Sequence, residues 1–186
     1  AERAIRQAEF DARAWEIAAE VRRILEIRRA SERSVALYRD EILPAVELSR
    51  FAQNAGAACV MSMPPHIMHL DADGCYEYYS ALSRALDIPI MIQDYVGPVG
   101  TPMSPALMAR MCRELPHVEY IKEETIPSSR AVSLTIAAAG AACKGVFGGQ
   151  AGAYLLDEYS RGSCGNMPAC QTTDMLQTVW DLLDAG

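Results

Sequence analysis

Over the first 42 residues apolar side chains recur at three- and four-residue steps. Ala8, Ala12, Trp15, Ala18, Val21 and Leu25 fall on one stripe of a helical surface, which predicts an amphipathic helix. A second helix is expected over 34–42, with a soft break around Arg28, Arg29 and Ser31. This stretch holds nine arginines and neither Gly nor Pro. From Leu43 the pattern changes to short apolar runs, each followed by a helical stretch. A helix over 44–54 opens with Pro in its first turn and ends at Gly56. Strands are expected at 58–63, 89–95, 118–124, 145–148 and 165–168, with helices following near 73–86, 104–115, 128–139, 151–161 and 173–183. Ser104-Pro105 pairs an N-cap with a proline at the first helical position, and Gly140 and Gly162 stand where helices end. Strand–helix alternation means parallel strands joined by right-handed crossovers, hence an α/β fold. Two segments result: a helical one at 1–42 and a βα domain at 43–186.

Composition narrows the partners. The chain has 186 residues, 51% of them hydrophobic, as expected of one globular domain with a sizeable core. Its net charge of −7 and lack of a basic tract argue against nucleic acid. No apolar run is long enough for a bilayer, and residues 1–30 are too charged for a signal peptide, so neither membrane nor export is expected. A cytoplasmic protein acting on a small molecule is the expectation. The six cysteines lack a CxxC pair and are expected to be buried, reduced thiols. Of the 17 basic residues only Lys122 and Lys144 are lysines, which makes a lysine inside an apolar strand conspicuous.

In α/β folds ligands bind beyond the carboxyl ends of the strands. Those ends are Pro64-Pro65-His66, Gln93-Asp94-Tyr95, Lys122-Glu123-Glu124, Gly148-Gly149-Gln150 and Asn166-Met167-Pro168. Along a strand Tyr120, Lys122 and Glu124 share one face. A lysine there is shielded from water, and desolvation favours the neutral amine that attacks a carbonyl, with Glu124 moving protons. The same residues equally describe an ion pair at a strand end. Gln93 and Tyr95 also share a face, either to bond substrate hydroxyls or as a plain polar strand end. His66 and His69 invite a metal, but no third ligand has matched spacing, so an ordinary loop without metal is expected. The glycine-rich run 145–152 is neither a P-loop nor a dinucleotide fingerprint; it leaves room for close approach to a small anion.

Taken together in order, these segments resemble the dihydrodipicolinate synthase / N-acetylneuraminate lyase family of TIM barrels. The match runs from Val46-Glu47-Leu48-Ser49-Arg50 and Gly56-Ala57-Ala58 through Val60-Met61-Ser62-Met63-Pro64-Pro65 to Pro89-Ile90-Met91-Ile92-Gln93-Asp94, Gly100, Ser104-Pro105 and Tyr120-Ile121-Lys122-Glu123-Glu124-Thr125. The resemblance implies barrel strands four to eight and a class I mechanism, in which Lys122 forms a Schiff base with a pyruvate-like 2-keto acid and no cofactor is needed. The implied catalytic residues are Lys122, Glu124 and Tyr95. The implied substrate contacts are Gln93, Asp94, Pro64, Gly148, Gly149 and Met167. Gln93 stands where many members carry a tyrosine, and Pro98 where an arginine is expected. The Gln93-Asp94 ending and the Met-Pro-Pro turn resemble the sugar-acid branch, such as 2-keto-3-deoxyarabonate dehydratases, with condensation of pyruvate with an aldehyde as the alternative activity the family implies. Strands one to three and the threonine-rich carboxylate loop have no counterpart in 1–42, and the usual C-terminal helices do not follow. Five strands cannot close an eight-stranded barrel, so its edges are covered by helix 1–42, by another chain in a homo-oligomer, or not at all. Three readings follow: a Schiff-base lyase, a non-catalytic partial barrel, and a metal-dependent aldolase built on His66 and His69.

Overall fold

The computed structural model describes residues 2–65, 69–95 and 101–186, with side chains at 13 and from 15 onward. The chain divides into two compact units, Ala1–Leu43 and Pro44–Gly186. In the first, helix α1 runs without interruption over Glu2–Ala36 and passes into a π-helical turn, Leu37–Ile42. The break expected near Ser31 is absent. Ser31 and Ser34 donate their hydroxyls back to the carbonyls of Ile27 and Ala30, each at 3.1 Å, while Arg28 pairs with Glu32 at 2.9 Å, so the polar residues bridge successive turns. The expected apolar stripe is not buried: Trp15, Val21 and Leu25 are exposed, as are Ile17, Ile24 and Ile27 around the helix.

The second unit begins with α2 (Leu43–Asn54) and alternates thereafter: β1 (Val60–Ser62), α3 (Ala72–Ala85), β2 (Ile90–Asp94), α4 (Pro105–Glu114), β3 (Val118–Glu123), α5 (Ser128–Ala139), β4 (Gly145–Gly148), α6 (Leu155–Ser160) and α7 (Thr173–Ala185). The strands form one parallel sheet in chain order, β1-β2-β3-β4. Asp71 caps α3 by accepting from Gly74 N at 2.8 Å, and Ser104 caps α4 by accepting from Leu107 N at 3.1 Å. One sheet face, carrying Ile92, Ile121 and Val146, forms the core with Leu82, Met108, Met111 and Val132 of the covering helices.

Three expectations change. The strand expected at 165–168 contributes a single bridge, Gly148 to Asn166. Pro168 has no N–H to give a ladder and Gly165 no side chain to pack, so pairing stops there. The helix expected over 151–161 starts only at Leu155, because Gln150 and Ala151 take left-handed backbone (φ 49° and 53°) that no right-handed helix accommodates. Of the cysteines, Cys75 and Cys112 are buried, but Cys164 and Cys170 are exposed, since they fall in the irregular segment after β4. Among the described residues no helix is long and apolar enough to cross a membrane.

Candidate functional site

The register sets the site. Gln93 pairs with Lys122 and Lys122 with Phe147 across three neighbouring strands, so these side chains form one row on the sheet face opposite the helices. The row before it holds Met61, Met91 and Tyr120, and Tyr120 meets Phe147 edge to face at 6.1 Å. Lys122 is only 8% exposed. Lys144, by contrast, lies at the surface and pairs with Glu119 at 2.6 Å. One of the two lysines therefore serves as ordinary surface charge, and the other is held out of water.

Glu124 gathers the site together. Its Oε1 lies 3.3 Å from Lys122 Nζ and accepts the Gln150 backbone N–H at 3.0 Å. Its Oε2 accepts from Gln93 Nε2 at 2.6 Å. The Gln150 side-chain amide then donates to the Glu124 carbonyl at 2.7 Å. A buried carboxylate with each oxygen bonded is pinned in one orientation. Gly149 makes this approach possible, because a Cβ there would overlap the Glu124 side chain. The left-handed backbone at Gln150 and Ala151 is the strain that lets the β4–α6 loop bend onto the carboxylate.

The remaining expected residues divide. Gln93, Lys122, Glu124 and Gly149 are brought together. Tyr95 is exposed, and its described contacts link it to neither Lys122 nor Glu124. Asp94 turns to the helix-covered face, 3% exposed, where its Oδ2 accepts from Thr125 Oγ1 at 3.0 Å. Gly148 also faces the helices; a Cβ there would overlap the Glu158 carboxylate. Met167 is tied to it, donating its N–H to the Gly148 carbonyl at 3.0 Å. Pro64 is buried, in a turn fastened where Thr101 Oγ1 donates to the Pro65 carbonyl at 2.8 Å. His66 and Pro98 lie outside the described residues, His69 is exposed, and no metal-binding group of three or more His, Cys, Asp or Glu forms among the described residues.

Two residues were not singled out from the sequence. Gln150 carried a weak signal, as the polar residue ending the glycine pair. Glu158 carried none, since it sits in an ordinary helix. Yet it is fully buried, accepting from Ser128 Oγ at 2.6 Å and Asn166 Nδ2 at 2.9 Å, and burial raises its carboxyl above the usual range. Beside the Lys122 row, Phe147 also lines a cleft with Asn166, Pro168, Leu176 and Trp180.

Comparison with known proteins agrees with this architecture. Residues 41–169 match the model of the Dihydrodipicolinate synthetase family. An L-2-keto-3-deoxyarabonate dehydratase from Azospirillum brasilense is 36% identical over 138 residues, covering 73% of this chain and 44% of the relative. The dihydrodipicolinate synthase of Thermotoga maritima superposes with a TM-score of 0.62 at 22% identity, over 68% of this chain and 43% of that one. A 2-keto 3-deoxygluconate aldolase from Picrophilus torridus gives 0.61 at 20% identity, over 69% and 45% respectively. The chain spans less than half the length of these relatives, and its parallel sheet corresponds to part of their barrels.

Proposed function

Since the chain belongs to the Dihydrodipicolinate synthetase family, we propose that it works as a Schiff-base lyase on pyruvate-type 2-keto-3-deoxy acids, with Lys122 as the nucleophile. The observation that carries the reading is the placement of Lys122. Its amine is buried at the carboxyl end of β3, on the sheet face opposite Asp94 and Glu123, with a single pinned carboxylate beside it. A proton passed from Nζ to Glu124 leaves a neutral amine, whose lone pair adds to the C2 carbonyl; loss of water then gives an iminium. The C3 proton goes to a base, and the C3–H electron pair flows into the iminium as an enamine. Glu124 suits the base, because Gln93 and Gln150 hold it in place without supplying a charge of their own. Expulsion of the C4 hydroxyl as water, its proton returned by Glu124, completes a dehydration, and hydrolysis of the remaining iminium frees Lys122.

Dehydration is favoured over C–C cleavage by the 36% identity to a protein named as a dehydratase. Gln93 in place of a phenol favours the same branch. The substrate is a small keto acid, a homo-oligomer is the expected assembly, and the unpaired thiols favour the cytoplasm.

Borohydride reduction in the presence of pyruvate tests the reading. A reduced adduct should map to the peptide containing Lys122; no adduct at saturating pyruvate, or one on Lys144, overturns it. Glu124→Gln should slow adduct formation and lower turnover by about 10²–10⁴-fold, the usual worth of a positioned proton-transfer group. Single-turnover kinetics separates the two steps.

A further inference from the structure

Behind Gln93 and Lys122, the next residue on each strand is an acid. Asp94 and Glu123 are register partners across β2 and β3, on the helix-covered face, 3% and 1% exposed. Glu123 Oε1 accepts the Thr125 N–H at 3.0 Å, and Oε2 accepts from Thr135 Oγ1 at 3.1 Å. Thr125 Oγ1 donates to Asp94 Oδ2 at 3.0 Å, and the Glu124 N–H donates to the Asp94 carbonyl at 2.9 Å. Asp94 Oδ1 is buried with no hydrogen-bond partner among the described residues. No described ion pair reaches either carboxyl. The titratable groups that face Asp94 from α3 are the Cys75 thiol, pushed up to about 12, and the Tyr79 phenol, also raised, so both stay neutral. From α5 only the Thr135 hydroxyl bonds the pair. Two adjacent buried carboxylates without a cation cannot both stay ionised. One proton between them removes the repulsion.

We propose that Asp94 and Glu123 share a single proton, and that this acid pair is the positioning element that locks the carboxyl ends of β2 and β3 beneath Gln93, Lys122 and Glu124. The seam it closes also carries the Glu124 N–H bond to β2, so losing the proton sets like charges against each other there and loosens the carboxylate beside the amine. The effect on the amine rests on the Schiff-base reading above; the shared proton does not.

Burial pushes Glu123 up to about 7 from its ordinary 4.5, and burial raises Asp94 as well. A raised carboxyl favours the protonated folded state. Its stability contribution is therefore full below the ordinary value and is lost as pH rises through about 7. Wild-type melting temperature should fall across that window. Asp94→Asn and Glu123→Gln should flatten the fall, because an amide donates to the remaining carboxylate without a proton to lose. Glu158, also raised by burial, adds a slope common to all three proteins, so the difference between them is the measurement.

Infrared spectra at about pH 6, above the ordinary carboxylate range, give the direct test. A protonated-carboxyl band should appear in the wild type minus Asp94→Asn difference and again with Glu123→Gln. Amide-exchange protection at Glu124 and Thr125, corrected for intrinsic rates, should fall as pH rises through about 7 in the wild type and stay level in Asp94→Asn; the pyruvate adduct should follow it. Absence of the difference band, or the same pH dependence of protection in both proteins, overturns the proposal. A normal band and normal protection with no adduct at any pH would uphold the acid pair and sink the Schiff-base reading instead.

Discussion

Lys122→Ala is expected to abolish the pyruvate-dependent borohydride adduct and to lower turnover by on the order of 10⁴-fold or more, the scale of losing a covalent nucleophile. The fold should survive the change. Glu124 keeps its bonds from Gln93 and Gln150, so the carboxylate is not left bare in a dry site. Lys122→Arg makes the more discriminating variant. It preserves positive charge opposite Glu124, but a guanidinium does not give up its proton and cannot attack a ketone. Equal loss of adduct in both variants shows that the amine's nucleophilicity is what matters. An adduct that persists in Lys122→Arg would move the nucleophile elsewhere and end the assignment. Unfolding curves of the two proteins, measured alongside, separate chemical loss from loss of fold.

Gly148→Ala is expected to produce the largest loss of stability from a single methyl. Gly148 lies on β4 and points at Glu158, which is fully buried and held by Ser128 and Asn166. An added Cβ would occupy the space of the Glu158 carboxylate and crowd the Asn166 amide. The fully buried Glu158 cannot retreat toward water. The strand must shift, or the buried acid must give up a bond, and together these cost about 3 kcal/mol. For a chain of this length the melting temperature should drop by roughly 6–12 °C, read by calorimetry or as a lower urea midpoint. Adding Glu158→Ala should recover part of the loss, because it empties the space the methyl needs; the double-mutant cycle reports that coupling directly. A change within about 0.5 kcal/mol, the ordinary range for surface positions, would show that the two groups are not in contact.

Much of the site was legible before any coordinate. Period-two alternation put Tyr120, Lys122 and Glu124 on one face, and strand–helix alternation foretold the parallel strands. The same alternation, applied to Gln93 and Tyr95, turns Asp94 the other way, and the structure places Asp94 among the helices. Tyr95 shows the limit of the rule: it follows the last paired residue of β2, Asp94, so the pleat no longer fixes where its ring points. The continuity of α1 through Ser31 illustrates how side-chain bonds to the preceding turn override a weak local break.

What the sequence determined by itself is local and periodic: which residues share a strand face, where helices Pro105–Glu114 and Ser128–Ala139 run, and that one lysine of two lies within an apolar strand. Tertiary structure decided the contacts that distant segments make. Gln150 bonds Glu124 from 26 positions away, Ser128 meets Glu158 from 30, and Asp94 faces Glu123 only because β2 and β3 are in register. The physical reason is that alternation and capping act through neighbours on the chain. The protonation and orientation of a buried acid depend instead on which groups the fold packs around it and on the water it excludes.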